Sequence, residues 1–328
     1  MSATRIDLAC SPDGDDVGAP FTRILRHDNG AWATTDLDQQ AQSLCQVSDV
    51  AGRTSLFVMS RDGRLANVDG GGPATKIEDA ALGGEPYQLG FLNTLRLVGG
   101  ALYAAGFGGQ IYRRADDGAW RVLSEALLDG AYPDRNWILD YARNPKLLDD
   151  PETKRQYLQR LRSEAPKMFW ALAGTSETSV YVGGEQAVGL LYNWDGARLS
   201  PCDLPTAKAV RDILVAPDGT VWICGREGIL LAGRDRRFEV VVDLGPQARF
   251  ASLAWFDGRL YVGASSGPHA LYVLDGQAAK PVETGSLEDA HTIQSAGSAL
   301  WAVGGKRLAR FDGRTWEGVA VPGRVNCH

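Results

Sequence analysis

The chain has 328 residues, 44% of them hydrophobic and 23% charged, with a formal net charge of −6 and an isoelectric point near 5.3. A chain of this size can bury about 75% of its unfolded surface, ample for one large domain. The acidic balance argues against a general nucleic-acid or anionic-membrane surface, which needs clustered lysine and arginine. No run of about 18 to 20 apolar residues suggests a membrane-spanning helix. Met1 to Cys10 carries Arg5 and Asp7 and lacks the apolar core of a secretory signal.

From the N-terminus, Ser11-Pro12-Asp13-Gly14 matches Ala216-Pro217-Asp218-Gly219 further along. That alignment predicts a weak strand near Val17, another at Phe21 to Arg26, and an outer one at Ala31 to Thr34. Asp28-Asn29-Gly30-Ala31-Trp32 then parallels Asp116-Asp117-Gly118-Ala119-Trp120. A recurring phrase follows: an aromatic-apolar strand, a glycine break, a second strand, then Asp-Gly or a near variant. It reads Leu102-Tyr103-Ala104-Ala105-Gly106, Ile111-Tyr112, Asp117-Gly118; then Val180-Tyr181-Val182-Gly183-Gly184, Leu191-Tyr192, Asp195-Gly196. It returns from Val221-Trp222-Ile223, Leu260-Tyr261-Val262-Gly263 and Leu300-Trp301-Ala302-Val303-Gly304.

The second strand of each unit starts near Leu56, Leu102, Val180, Val221, Leu260 and Leu300. A period of about 40 residues with several strands per unit marks a β-propeller. The step from Leu102 to Val180 is about twice that period. Ser124 to Lys167 has no β-branched alternation and reads as helix, so it is an insertion rather than a blade. With the N-terminal unit the count is seven four-stranded blades in one all-β domain over residues 1–328, with the helical insertion at about 124–167. Six blades, with the N-terminus closing the last, is the alternative.

Asp62-Gly63, Asp69-Gly70, Asp218-Gly219, Asp257-Gly258, Asp275-Gly276 and Asp312-Gly313 sit between alternating runs. They read as type I′ hairpin turns, which need positive φ. Tyr103, Tyr181, Trp222, Tyr261 and Trp301 share one position and are expected to fill the layers between blades. Asp312-Gly313-Arg314-Thr315-Trp316 and Asp116-Asp117-Gly118-Ala119-Trp120 resemble degenerate Asp-box turns of sialidase-like and photosystem-assembly-factor-like propellers. Tyr192-Asn193-Trp194-Asp195 is similar to the end of a WD40 strand. Val182-Gly183-Gly184 and Val303-Gly304-Gly305 resemble the double glycine of kelch repeats. The resemblance covers repeat architecture over most of the chain and carries over no functional residue.

The insertion is the feature a propeller does not need. Asp134 to Ala142 can form a helix with Trp137, Ile138 and Tyr141 on one face. Asp150 suits an N-cap, Pro151 the first helical position and Glu152 the positive helix end, which predicts a second helix to Glu164. Its apolar faces can pack on the propeller rim, or the insertion can serve as a partner-binding element. On the second reading Trp137, Tyr141, Arg155, Arg160 and Arg162 are the contact residues, being the side-chain types enriched among binding hot spots.

Catalytic signatures are missing. There is no Gly-x-Ser-x-Gly elbow and no phosphate loop. His27, His269, His291 and His328 show no zinc spacing, and Asp13-Gly14-Asp15-Asp16 and Asp149-Asp150 lack a full calcium-loop pattern. No catalytic residue, cofactor or metal is therefore expected. Cys10, Cys45, Cys202, Cys224 and Cys327 are odd in number with no Cys-x-x-Cys pair, which suits reduced thiols in a cytoplasm. In an oxidising compartment Cys10 and Cys327 could meet across the ring closure. Three functions stay open. The first is a monomeric, non-catalytic protein binder, in concrete form a bacterial immunity or accessory protein that blocks a cognate, basic effector. The second is a propeller enzyme, such as a hydrolase, a lactonase-like or a glycan-processing one, with its site over the central channel. The third is a small-ligand sensor.

Overall fold

The computed structural model describes residues 5–12, 21–48, 54–70, 73–78, 80, 89–128, 144–285, 287–322 and 325–327. These form seven four-stranded antiparallel sheets, the blades of a propeller. Blade 2 is Ala41–Ser48, Thr54–Ser60, Arg64–Asn67 and Thr75–Lys76. Blade 3 is Leu92–Val98, Ala101–Gly106, Ile111–Arg114 and Trp120–Val122. Blade 4 is Met168–Ser176, Ser179–Gln186, Val188–Trp194 and Leu199–Pro201. Blade 5 is Val210–Val215, Val221–Gly225, Ile229–Arg234 and Arg237–Asp243. Blade 6 is Arg249–Phe256, Arg259–Ser266, Leu271–Asp275 and Ala278–Pro281. Blade 7 is Thr292–Ala296, Ala299–Val303, Leu308–Phe311 and Trp316–Val319. In blades 2 to 7 the first strands of successive blades pack side by side and form the inner ring. The six-bladed alternative is excluded.

Blade 1 is assembled from both ends of the chain. Ile6–Pro12, Thr22–Asp28 and Ala31–Leu37 are its second to fourth strands, and Val325–Cys327 pairs antiparallel with Ile6–Pro12 as the first. The register sets Cys10 opposite Cys327, Ser11 opposite Asn326 and Pro12 opposite Val325. The second strand thus lies earlier than the expected position near Val17, which falls outside the described residues. Ile6-Asp7-Leu8-Ala9-Cys10 has the alternation of a strand but no aromatic to match the other blades.

The core is a ring of wedges. Seven apolar clusters occur, and each joins two adjacent blades. Tyr103 sits in the layer between blades 3 and 4, Tyr181 between 4 and 5, Trp222 between 5 and 6, Tyr261 between 6 and 7, and Trp301 between 7 and 1. The same second-strand position therefore always points to the next blade, as expected for packing aromatics. Phe57 does this for blades 2 and 3. The smallest cluster, between blades 1 and 2, is Ala9, Ile24, Leu56 and Val58. A polar network supplements it. Arg26 donates to Asp7 at 2.6 Å and to Asp69 at 2.6 Å, Gln46 donates to Asp7 at 2.8 Å, and the Leu56 N–H donates to Asp69 at 2.8 Å. Burial opposes the charge on Asp69, but the hydrogen bonds from Arg26 and Leu56 hold its carboxyl below the ordinary value.

The Asp-Gly turns divide by mechanism. Asn29-Gly30 and Asp257-Gly258 have positive φ at both residues, as a type I′ turn requires. At Asp117, Asp195, Asp218 and Asp312 only the glycine is left-handed. There the aspartate accepts backbone N–H groups two or three residues on: Ala119, Ala197 and Arg198, Thr220, and Arg314 and Thr315, all within 2.7 to 3.0 Å. These bonds hold the four carboxyls below their ordinary values. They are Asx turns, which corrects the type I′ reading for Asp218 and Asp312. Asp69-Gly70 lies in the longer loop that joins Arg64–Asn67 to Thr75–Lys76, and there Asp69 serves the blade 1–2 network.

Removing the residues before Phe21 would take away a strand whose Ile6, Leu8, Ala9 and Cys10 are buried. We expect that deletion to cost about 4 kcal/mol or more, because burial of each Ile or Leu is worth roughly 1.5–3 kcal/mol. Circular dichroism melting checks it; an unchanged midpoint would rule out closure through this strand.

Candidate functional site

In a four-stranded blade the chain leaves the outer strand and enters the next inner strand on one face of the ring. The turns between second and third strands lie on that face too. The insertion is the crossing from blade 3 to blade 4, so it belongs there. Its start is tied down by Ser124, which donates to the Gly109 carbonyl at 2.7 Å and accepts from the Ile111 N–H at 3.0 Å. Its end is tied by Gln186, whose side-chain amide donates to the Ala165 carbonyl at 2.9 Å, and by a bridge between Phe107 and Met168. Within it, Pro145–Leu148 is a short 3-10 turn and Pro151–Glu164 is the helix, α1. Asp150 caps α1 as expected: its carboxylate accepts from the Thr153 N–H and hydroxyl, both at 2.7 Å.

The proposed contact residues fare unequally. Trp137 and Tyr141 lie outside the described residues, as does the helix expected over Asp134 to Ala142. Arg155 pairs with Glu152 at 2.6 Å and Arg160 with Glu164 at 2.7 Å, both exposed. These two arginines are five residues apart, about 140° around the helix, so they do not form one fork. Arg162 is on α1, its side chain outside the described set.

A second group of residues lies on the same face, and the repeat pattern did not reveal it. Five inner strands carry a register shift near their start: Ala41/Ser43, Leu92/Thr94, Phe169/Ala171, Val210/Asp212 and Phe250/Ser252. The skipped residues are Gln42, Asn93, Trp170, Arg211 and Ala251. A bulge re-aims such a side chain out of the alternation. The Trp170 ring meets Phe107 edge-on at 5.2 Å, and Phe107 neighbours Phe91 at 6.3 Å. Arg211 lies over Trp170 with its guanidinium carbon 4.4 Å from the ring centroid, a cation–π contact. Arg61 caps the other end over Phe91 at 5.2 Å. Glu185 receives Arg211 at 3.5 Å and Arg226 at 3.3 Å. Burial, and then the neighbouring Arg226, hold the Arg211 pKa below its ordinary value. The result is an arc of arginine and aromatic side chains over blades 2 to 5, beside the foot of the insertion.

In blades 2, 5 and 6 the residue after the bulge links neighbouring inner strands. Ser43 Oγ accepts from the Leu95 N–H at 3.0 Å, Asp212 from Leu253 at 2.8 Å and Ser252 from Ile293 at 3.1 Å. Blade 4 has Ala171 there and can offer nothing to blade 5. Asp212 compensates, its second oxygen accepting from the Ile213 N–H at 2.9 Å. Crowding by protein pushes the Asp212 carboxyl up, against these hydrogen bonds and the charge of Arg96.

Among the described residues no three His, Cys, Asp or Glu side chains are grouped to hold a metal ion. His27 packs against Trp32 and Trp301, and His269 against Tyr272. No helix of the described residues is long and apolar enough to cross a membrane.

No family model matches the chain. It is 30% identical over 240 residues to the immune protein Tsi7 of Pseudomonas aeruginosa, a match covering 73% of this chain and 66% of Tsi7. The aligned part is thus just under two thirds of that relative's length. Among solved structures, the WD40 β-propeller domain of Doa1 superposes with a TM-score of 0.62 at 12% identity, covering 94% of this chain and 88% of that one. YCF48 bound to D1 peptide superposes with a TM-score of 0.57 at 14% identity, covering 87% and 83%. These two show the fold alone.

Replacing Asp212 with alanine should leave the Ile213 and Leu253 N–H groups without their acceptors. Each lost partner at a buried donor costs about 1–3 kcal/mol, less where channel water can substitute. We expect urea denaturation to show a loss of about 2 kcal/mol or more with an unchanged m-value.

Proposed function

We propose that this protein is a non-catalytic binding protein of the immunity type, which binds and blocks a cognate effector protein. The observation that carries this is the 30% identity to the immune protein Tsi7 over 240 residues. Two features support it. A closed ring of blades is a rigid frame for loops, and both the insertion and the arginine–aromatic arc sit on one of its faces. The effector is a protein with basic overall charge, matching the net charge of −6 here. The free chain is monomeric, and the insertion contributes contacts through Arg155, Arg160 and Arg162 together with Trp137 and Tyr141.

Affinity capture from the producing cell tests this. The intact chain is compared with one whose residues 124–167 are replaced by a short turn. We expect an effector to be retained by the intact chain and weakened about tenfold or more without the insertion, since hot-spot losses run to about 1–4 kcal/mol. Equal retention by both would make the insertion structural. No specific partner for the intact chain would count against the binding reading.

Cytoplasmic residence is the further part of this proposal, with every thiol reduced. The facing positions of Cys10 and Cys327 make them reporters of compartment. Peptide mapping of the protein from its own cells, alkylated without reductant, should return both cysteines alkylated. A cross-linked Cys10–Cys327 peptide would place the chain in an oxidising compartment.

A further inference from the structure

The arc carries an imbalance of charge at its blade 4–5 end, where Arg249 of blade 6 adjoins it. Arg211 and Arg226 both pair with a single carboxylate, Glu185, and Arg249 lies near enough to Arg211 to oppose its charge. Arg226 and Arg249 are exposed, and Arg249 has no ion-pair partner among the described residues. Asp212 forms no ion pair with these arginines, its two oxygens accepting instead from the Ile213 and Leu253 N–H groups. Lys208 nearby is neutralised by Asp243 at 2.6 Å and Glu227 at 3.8 Å. So two guanidinium groups share one carboxylate and a third stands beside them, in a protein of net charge −6. Arg211 is also fixed by its stacking on Trp170, itself braced by Phe107. A guanidinium held in place loses little freedom when a carboxylate pairs with it in two parallel hydrogen bonds. The other end of the arc differs: Arg61 and Phe91 share a cleft with Asp38 and Asp62, so its charge is balanced.

We propose that Arg211, Arg226 and Arg249, with Trp170 and Phe107 as an apolar floor, bind an acidic segment of a partner protein, two carboxylates of which complete the arginine cluster beside the insertion. This rests on the binding-protein reading and deepens it: an effector of basic overall charge would present a local acidic segment here. The charge surplus is confined to three adjacent arginines, which fits a pair of Asp or Glu side chains. A nucleic acid would need a longer basic track, because its phosphates recur all along the strand.

The test uses the full chain and fluorescence anisotropy of two labelled probes, a ten-residue peptide alternating Asp or Glu with Leu or Phe, and a single-stranded DNA decamer. We expect saturable peptide binding that weakens as salt rises. It should fall about tenfold or more in Arg226→Gln/Arg249→Gln, whose exposed residues can change without unfolding the chain. It should also fall in Arg211→Gln, and be unchanged in Arg314→Gln, which removes the same charge from the turn of Asp312 on the opposite face. No saturable peptide binding, equal loss in the Arg314 variant, or tighter binding of the DNA would each overturn the proposal. A captured effector held equally by intact chain and double variant would overturn it while leaving the binding reading intact. If the intact chain captures no effector, that reading fails, and the peptide arm still decides this one.

Discussion

Each blade of this protein has two apolar faces and can bury them only against its neighbours. Seven clusters between adjacent blades do the work that one continuous core does in other folds. A ring of this kind has no terminal repeat to cap, so every layer depends on the ring being shut. Blade 1 shuts it, with three strands from the start of the chain and one from its end. That blade also meets blade 2 through the thinnest apolar layer, where the network of Arg26, Asp7, Asp69 and Gln46 lies. An ion pair alone is weak support at a surface. Here Asp7 is almost fully covered and accepts from two partners in different blades, so the network specifies how the two blades align as well as attracting them.

The inner strands show how a repeat fold creates variety without spoiling its packing. The layer-filling aromatic is kept at one position in blades 2 to 7, while the bulged position is Gln42, Asn93, Trp170, Arg211 or Ala251. The bulge frees that side chain from the alternation, so its identity can change at no cost to the wedge behind it. The next residue remains tied to the adjacent inner strand through Ser43, Asp212 or Ser252. A rigid, hydrogen-bonded wall thus stands directly under a variable rim.

Much of this architecture could be read from the residues, because hairpin turns and packing aromatics recur at fixed places. The strand starting near Leu56 through to the one near Leu300 all appear in the fold, and Asp150-Pro151-Glu152 announced α1. What escaped reading has physical causes. Ile6–Pro12 carries no aromatic, and the layer it turns to blade 2 is instead a small apolar cluster of Ala9, Ile24, Leu56 and Val58 supplemented by the network of Arg26, Asp7, Asp69 and Gln46. Asp-Gly at 218 and 312 looks like a type I′ turn, but the aspartate is selected for its side-chain oxygen and keeps negative φ. The arc was invisible because a bulge is a relation between two strands, and Phe91, Phe107, Trp170 and Arg211 come from blades 3, 4 and 5. Local spacing carries no trace of that meeting.

The insertion and the arc are therefore two different kinds of feature on one face. Arg155 and Arg160 of α1 are already paired with carboxylates of their own helix one turn away, so a partner would have to compete for them. Those pairs are exposed and individually weak, which keeps the competition cheap and the contacts replaceable. Arg211 is the reverse case. It is part-covered, stacked on Trp170 and crowded by other cations, so an incoming carboxylate relieves a repulsion the free protein must sustain. Binding energy should then concentrate at the propeller rim, with α1 adding selectivity around it.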